Sequence, residues 1–375
     1  MTRVFVSGCY DLLHAGHLQF FRDARALGSH LTVCFASAEV LWAYKQRKSS
    51  LPDEHKAALL AALNMVDEVV IGRGNEPGLD FRDDFLRLRP DILAVTEDDQ
   101  FGAAKRELCA LTGARYVALP KTKPKFAQVS SSEIVRFMRA PREAPLRVDF
   151  AGGWLDVPRF ARVGAFIVNC AISPRVSLRG WPYEKNAGLG GSGAWALLNG
   201  RDGVKAEAGL GVGWQDPAVI TESGLCVWRS GGAPDLEIKT DGAMLRGRMA
   251  LLWTGSSHDT GSAVSLKRDF DAIERAGCVA RDAVWRGDID RLAGAVRLSY
   301  AVQRGEGMKP LPGDADFSEN EARPPGGAIA WKYSGSGHGG YALYLFENAH
   351  FRDAACLGQK MLPIEPFVWK EGVRD

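Results

Sequence analysis

Two histidines three residues apart, His14 and His17, stand where the first apolar run of the chain gives way to a helical pattern. The stretch reads Gly8-Cys9-Tyr10-Asp11-Leu12-Leu13-His14-Ala15-Gly16-His17 and directly follows the run Arg3–Ser7. Imidazoles at i and i+3 of a helix start lie on one face and can present donors to the same oxygens. A glycine at a strand end, Gly8, lets backbone approach an anion. The first-turn amides add unpaired donors at the positive end of the helix dipole. The chemistry predicted is phosphate binding and charge stabilisation, with neither histidine required as a base. One glycine with one histidine would read as an ordinary strand-to-helix turn; the pair with Gly16 between them is what points to a site.

Such a site needs a scaffold that ends its strands together. Arg3–Ser7, His30–Ser37, Asp67–Gly72, Asp91–Thr96 and Arg115–Pro120 are apolar, strand-like runs, and helical spacing separates them. This alternation predicts a parallel sheet with right-handed crossovers, whose ligand crevice lies at the strand carboxyl ends. Around residues 136–148 the composition changes, with two prolines and four arginines in thirteen residues, as in an exposed junction. Nine of the ten tryptophans follow it, among glycine-rich turns and alternating runs such as Val176–Trp181 and Leu225–Ser230. The fold class expected is therefore α/β: a Rossmann-like parallel-sheet domain over 1–138, a junction over 139–146, and an α+β domain over 147–375.

The length of 375 residues suits two cores, and 46% hydrophobic with 25% charged residues is ordinary for a globular protein. A formal charge of +2 gives no global reason to expect a nucleic-acid or membrane partner. The seven cysteines are scattered without a CxxC pair and read as reduced thiols. No leader-like segment and no apolar run long enough to cross a membrane is visible, so cytoplasm is the expected location.

Residues 1 to about 138 resemble the nucleotidyltransferase superfamily of glycerol-3-phosphate cytidylyltransferase and the heptose-phosphate nucleotidyltransferases. Their hallmark, GxFDxxHxGH, is met here with Tyr10 in place of the usual phenylalanine. The resemblance assigns Gly8, Tyr10, Asp11 and Gly16 to nucleotide and phosphate binding, and His14 and His17 to catalysis. Lys45 takes the place of a family lysine that reaches the triphosphate. Ser130-Ser131-Ser132-Glu133-Ile134 resembles the ISTTxI segment, whose hydroxyls meet phosphates. Lys125, with Lys121 and Lys123, is a candidate clamp for the substrate phosphate. The usual ExR reads Glu54-His55-Lys56, and the usual glycine-aspartate loop reads Val95–Gln100. The resemblance implies Mg²⁺ and a nucleoside triphosphate, CTP favoured and ATP the alternative.

The second half resembles GHMP-type sugar kinases acting on heptose phosphate or fucose. Ala144–Pro158 is similar to their first motif, APLRISFAGGGTDxP, which borders the sugar and so implies Arg147, Gly153 and Asp156 as sugar-binding. Gly188-Leu189-Gly190-Gly191-Ser192-Gly193-Ala194 resembles the phosphate loop GLGSSSA. There Gly188, Gly190 and Gly191 would cradle phosphates, and Ser192 would hold Mg²⁺. Gly213–Pro217 with Gly231-Gly232 resembles the stretch carrying the catalytic aspartate, here Asp216. Lys332–Gly340 resembles the third motif, with Gly335 and Gly337 at the phosphates. About thirty residues separate Pro158 from the phosphate loop, so this domain is shortened.

The pairing implies a kinase that phosphorylates a sugar and a nucleotidyltransferase that couples the sugar 1-phosphate, or a polyol phosphate, to a nucleotide with release of pyrophosphate. Two alternatives stay open. One is a monofunctional nucleotidyltransferase with a degenerate, sugar-binding kinase-like domain; the other is an inactive nucleotide-binding regulatory module. Relatives of the first domain are often dimers, and a homodimer is left open.

Overall fold

The computed structural model describes residues 1–121, 129–209, 211–257, 267–314 and 325–370. The chain divides into two units, Met1–Val135 and Arg136–Asp375.

In the first unit, β1 (Arg3–Gly8) leads to α1 (Ala15–Arg25), and β2 (His30–Ala36) to α2 (Ala38–Lys45) and α3 (Asp53–Ala61). Then follow β3 (Glu68–Gly72), α4 (Arg82–Leu88), β4 (Ile92–Thr96), α5 (Gly102–Thr112), β5 (Arg115–Leu119) and α6 (Ser131–Met138). The five strands lie in the order β3-β2-β1-β4-β5, every neighbouring pair parallel. Alternation along each strand sends side chains to two separate cores. Val4, Val6, Leu31, Val33 and Phe35 pack on one face. Phe5, Cys34, Leu93 and Val95 pack on the other, with Phe81 and Phe85. Both faces are covered, which is why the central strands read as continuous apolar runs. The strand order reverses at β1, so the crevice opens where β1 and β4 end, at Gly8 and Thr96. α2 was not visible as a helix in the sequence pattern. It is short, and Ser37 starts it by accepting from Val40 N.

The second unit begins with β6 (Ala144–Ala151), which pairs antiparallel with β7 (Phe166–Val176). Short helices α7 (Gly191–Leu198), α8 (Gly203–Gly209) and α9 (Gln215–Glu222) precede β8 (Leu225–Arg229), β9 (Leu236–Thr240) and β10 (Met249–Trp253). A hairpin of two long helices follows, α10 (Phe270–Arg286) and α11 (Ile289–Gly305). Then come β11 (Ala328–Tyr333), β12 (Tyr341–Phe346), α12 (Ala349–Gln359) and β13 (Leu362–Pro366). The sheet runs β11-β12-β10-β13-β7-β8-β9, with β6 off this path, and its pairs are antiparallel. Leu225–Arg229 is a strand as expected. Val176–Trp181 is not: beyond Val176 the chain turns, closed by Ser177 N donating to Gly180 O at 2.8 Å. The shortened connection therefore passes from β7 to the phosphate loop with no further strand.

Candidate active sites

In the first unit the histidine pair is built by α1 itself. His14 is its N-cap, in extended backbone and without a side-chain cap bond. One turn on, the His17 ring stacks on it with centroids 3.9 Å apart. A Cβ at Gly16 would sit 3.1 Å from the His14 ring, so the glycine leaves that ring its place. Nδ1 of both histidines is buried without a hydrogen-bond partner among the described residues. Burial lowers the pKa of His14, and burial together with the neighbouring His14 brings His17 down to about 4. Two neutral, half-sheltered imidazoles thus carry unspent hydrogen-bonding capacity, which is the state that an arriving phosphate would satisfy and recharge.

The residues around the pair are tied into the fold by their own contacts. Tyr10 is buried and stands edge-on to His17 at 5.1 Å and to Phe21 at 4.9 Å, so its ring backs the histidine. Gly8 is small on account of Tyr10, whose ring would lie 2.7 Å from a Cβ there. Asp11 is 1% exposed and its carboxylate accepts from Arg47 Nη2 at 2.9 Å, Ser49 Oγ at 2.9 Å, Ser50 N at 2.7 Å and Ser50 Oγ at 2.8 Å. Burial pushes this carboxyl up, but the serine bonds and Arg47 outweigh it and hold it below the ordinary value. Asp11 is therefore a latch on the 47–50 segment, because a buried anion already saturated with donors has nothing to offer a phosphate. That segment follows Lys45, which ends α2 with its side chain exposed.

Ser130 and Glu133 form a reciprocal cap at α6: Ser130 N donates to Glu133 Oε2 at 2.7 Å, and Glu133 N to Ser130 Oγ at 3.2 Å. Ser131 Oγ donates to Leu12 O at 3.0 Å, tying the helix start to the histidine loop, while Ser132 is exposed. Lys125 and Lys123 lie outside the described residues, and Lys121 pairs with Asp98 at 2.6 Å. In the loop after β4, Asp99 is occupied by Lys105 Nζ and Tyr116 OH, both at 2.9 Å. Lys56, in the place of the family arginine, is buried and pairs with Asp53 at 2.9 Å.

In the second unit, alternation along β6 turns Leu146, Val148 and Phe150 into the core, with Arg147 and Asp149 on the opposite face. Arg147, 4% exposed, donates through Nε and Nη2 to the two oxygens of Asp216, each at 2.6 Å. Its Nη1 donates to Gly188 O at 2.5 Å and Ser334 Oγ at 3.3 Å. The motif position implied a sugar contact for Arg147; the structure spends its donors on Asp216 and on two backbone loops. One guanidinium thereby gathers β6, the glycine-rich loop at Gly188, the Asp216 helix and the turn at Ser334. Asp149 accepts from Lys332 Nζ and, at 2.7 Å, from Gly335 N.

Gly188 and Gly190 are in the left-handed region, where glycine is free to go, at φ 73° and 72°. A Cβ at Gly188 would sit 2.6 Å from Ser334 O. Gly191 replaces a family serine where the Trp181 ring would be 3.4 Å from a Cβ. Gly335 and Gly337 are left-handed as well, φ 66° and 74°. Asp156 is 2% exposed, accepts from Gln215 N at 3.0 Å and Gln215 Nε2 at 3.1 Å, and is pushed up to about 7 by burial. Its carboxylate thus holds the start of the helix that carries Asp216. Ser192 Oγ donates to Glu207 Oε1 at 2.5 Å. Hard oxygen ligands of this kind are the type that would suit Mg²⁺. Glu207 carried no signal in the sequence, whereas Asp149 and Lys332 lay inside quoted motifs without being singled out.

Residues 5–137 match the cytidylyltransferase-like family. Over 103 residues the chain is 40% identical to the FAD synthase of Thermococcus onnurineus (strain NA1), covering 28% of this chain and 67% of that protein. The chain belongs to the cytidylyltransferase-like family. The FAD synthase of Pyrococcus horikoshii is likewise 40% identical over 99 residues, 26% of this chain and 65% of that protein, so the chain spans about two thirds of the length of these curated relatives. Among solved structures, the chain is similar to a lipopolysaccharide core biosynthesis protein from Thermoplasma volcanium GSS1, at 24% identity and TM-score 0.29, covering 33% of this chain and 99% of that one. Others are similar over a larger share. L. major mevalonate kinase is 16% identical at TM-score 0.44, covering 66% of this chain and 100% of that one. A D-glycero-D-manno-heptose 1-phosphate kinase from Bacteriodes thetaiotaomicron is 14% identical at TM-score 0.42, covering 61% and 98%. Among the described residues no helix is long and apolar enough to cross a membrane.

Proposed function

We propose that the first unit transfers a nucleotidyl group from a nucleoside triphosphate to a phosphorylated acceptor. The acceptor's phosphate oxygen attacks the α-phosphorus in line, the bond to the β-phosphate breaks, and pyrophosphate leaves. The reaction needs no enzyme nucleophile, so the protein's contribution is alignment and charge stabilisation. The observation that carries this reading is the stacked, neutral His14 and His17 with unpartnered nitrogens at the crevice end of β1. His14 and His17 would donate to the α-phosphate as charge builds, and Lys45 would meet the β- and γ-phosphates. A sugar 1-phosphate with CTP is the first reading of the substrates, supported by the family match and by the kinase-like motifs beside it. The identity with FAD synthases supports a second, in which a flavin phosphate is the acceptor and ATP the donor.

For the second unit the reading is phosphorylation of a sugar hydroxyl, which would supply the first unit's acceptor. Asp216, fixed by Arg147, would orient the hydroxyl and receive its proton, while the amides of Gly190 and Gly191 would face the transferring phosphate. Ser192 and Glu207 would hold Mg²⁺, which neutralises phosphate charge when bound.

The test is pyrophosphate release from the full chain with CTP, ATP, GTP and UTP, against sugar phosphates, polyol phosphates and flavin mononucleotide. One productive pair is expected, and His14→Ala is expected to lower its rate by about 10²-fold or more. Release that survives His14→Ala unchanged would refute the assignment of this site.

A further inference from the structure

The start of α6 meets the histidine loop with its donors already engaged. Ser130 N donates to Glu133 Oε2 at 2.7 Å, and Glu133 N donates to Ser130 Oγ at 3.2 Å. Ser131 Oγ is spent on Leu12 O at 3.0 Å, two residues before His14. A phosphate arriving at the histidines would therefore find the amides of Ser130 and Glu133 and the hydroxyl of Ser131 committed within the fold.

What this cap brings to the site is a charge. The glutamate of a capping box folds back over the helix start, and here that start is fastened to the loop that carries His14. Burial lowers the pKa of His14, and the Glu133 carboxylate pulls it part of the way back. His17 has no carboxylate acting on it among the described residues, and burial with the neighbouring His14 takes it down to about 4. The two rings stack at 3.9 Å, so a proton on one discourages a proton on the other.

The other groups around the pair leave this role to Glu133. Asp11, in the same loop, is matched by Arg47 at 2.9 Å and by the hydroxyls of Ser49 and Ser50. Tyr10, edge-on to His17, has its hydroxyl pushed far up by burial and carries no charge. Cys9 packs against the cluster of Ala36, Val40 and Leu41, and Lys45 ends α2 with its side chain exposed. We propose that Glu133 is a positioning residue of the first site: by fixing a negative charge beside His14, it makes that ring the first of the pair to take up a proton. The histidines then have separate tasks. His14 brings the positive charge, while His17, next to a charged ring, stays neutral for longer and contributes its vacant nitrogen.

Nuclear magnetic resonance titration of the full chain tests this without any nucleotide, using isotope-labelled histidine and assigning the two rings with His14→Ala and His17→Ala. Wild type is compared with Glu133→Gln, since a capping box accepts glutamine as well as glutamate and the variant removes the charge while keeping the cap. His14 is expected to titrate above His17, and to fall by about half a unit or more in the variant at low salt. At about 1 M salt, where the screening length is about 3 Å, the difference between wild type and variant is expected to shrink by about half or more. His14 titrating with or below His17, no fall in the variant, or a fall that salt leaves unchanged overturns the proposal. Its kinetic consequence rests on the reading of this site as a nucleotidyl-transfer centre: the alkaline limb of the pH profile of pyrophosphate release is expected at lower pH in Glu133→Gln. A limb that stays in place overturns the role in the reaction. A titration that behaves as expected, with no pyrophosphate release from any nucleotide, upholds the ordered pair and removes the transfer reading; release with His14 unmoved by the variant does the reverse.

Discussion

His17 links the two properties that a phosphate site needs, a vacancy for a hydrogen bond and a charge that appears only on demand. Its pKa near 4 against an ordinary 6.5 means that the unfolded chain binds the proton more tightly. Stability is therefore expected to be intact above pH 6.5 and to fall as pH drops from there through about 4. Melting temperature followed from pH 8 to 4 checks this, and His17→Gln should flatten that acid-side slope; an unchanged slope in the variant would place the titration elsewhere. At this scale the sequence was legible for the histidines, whose spacing alone showed a shared face. It was not legible for Asp11, because the donors that occupy it, Arg47, Ser49 and Ser50, lie 36 to 39 positions away. The Arg147–Asp216 pair was hidden for the same reason: the two lie 69 positions apart, and no local pattern reveals a pair made only by folding.

At the scale of elements, the strands of the first sheet were readable because burial on both faces makes them continuous apolar runs. Alternation misled at Val176–Trp181, where it belongs to a turn and to Trp181 packing against Gly191. The helix start at Gln215 carries a further expectation. Asp156 beneath it is raised to about 7, so the folded state holds the proton more tightly than the unfolded chain. Its contribution is fully present below the ordinary carboxylate value and is lost as pH rises through about 7. Asp156→Asn should remove that loss. The new amide can donate to Gln215 Oε1, a buried acceptor with no partner among the described residues, once the Gln215 amide turns over. Urea unfolding at pH 5 and pH 8 measures it; a variant whose stability still declines between the two would assign the proton to another group.

At the scale of the whole chain, the cytidylyltransferase-like match ends near residue 137 and the kinase-like motifs lie in the second unit. Asp216→Asn is accordingly expected to lower ATP-dependent sugar phosphorylation by about 10²-fold or more while leaving pyrophosphate release as it was. Parallel loss of both would mean that the units do not work separately.

The first sheet has one further consequence, for descent. Its strands spend their side chains on two cores, and the candidate phosphate-binding groups His14, His17 and Lys45 stand outside them, beyond the ends of β1 and β2. A lineage can therefore exchange one acceptor for another by editing a few turns, without renegotiating the interior. Kinship across the sheet can then outlast agreement on substrate.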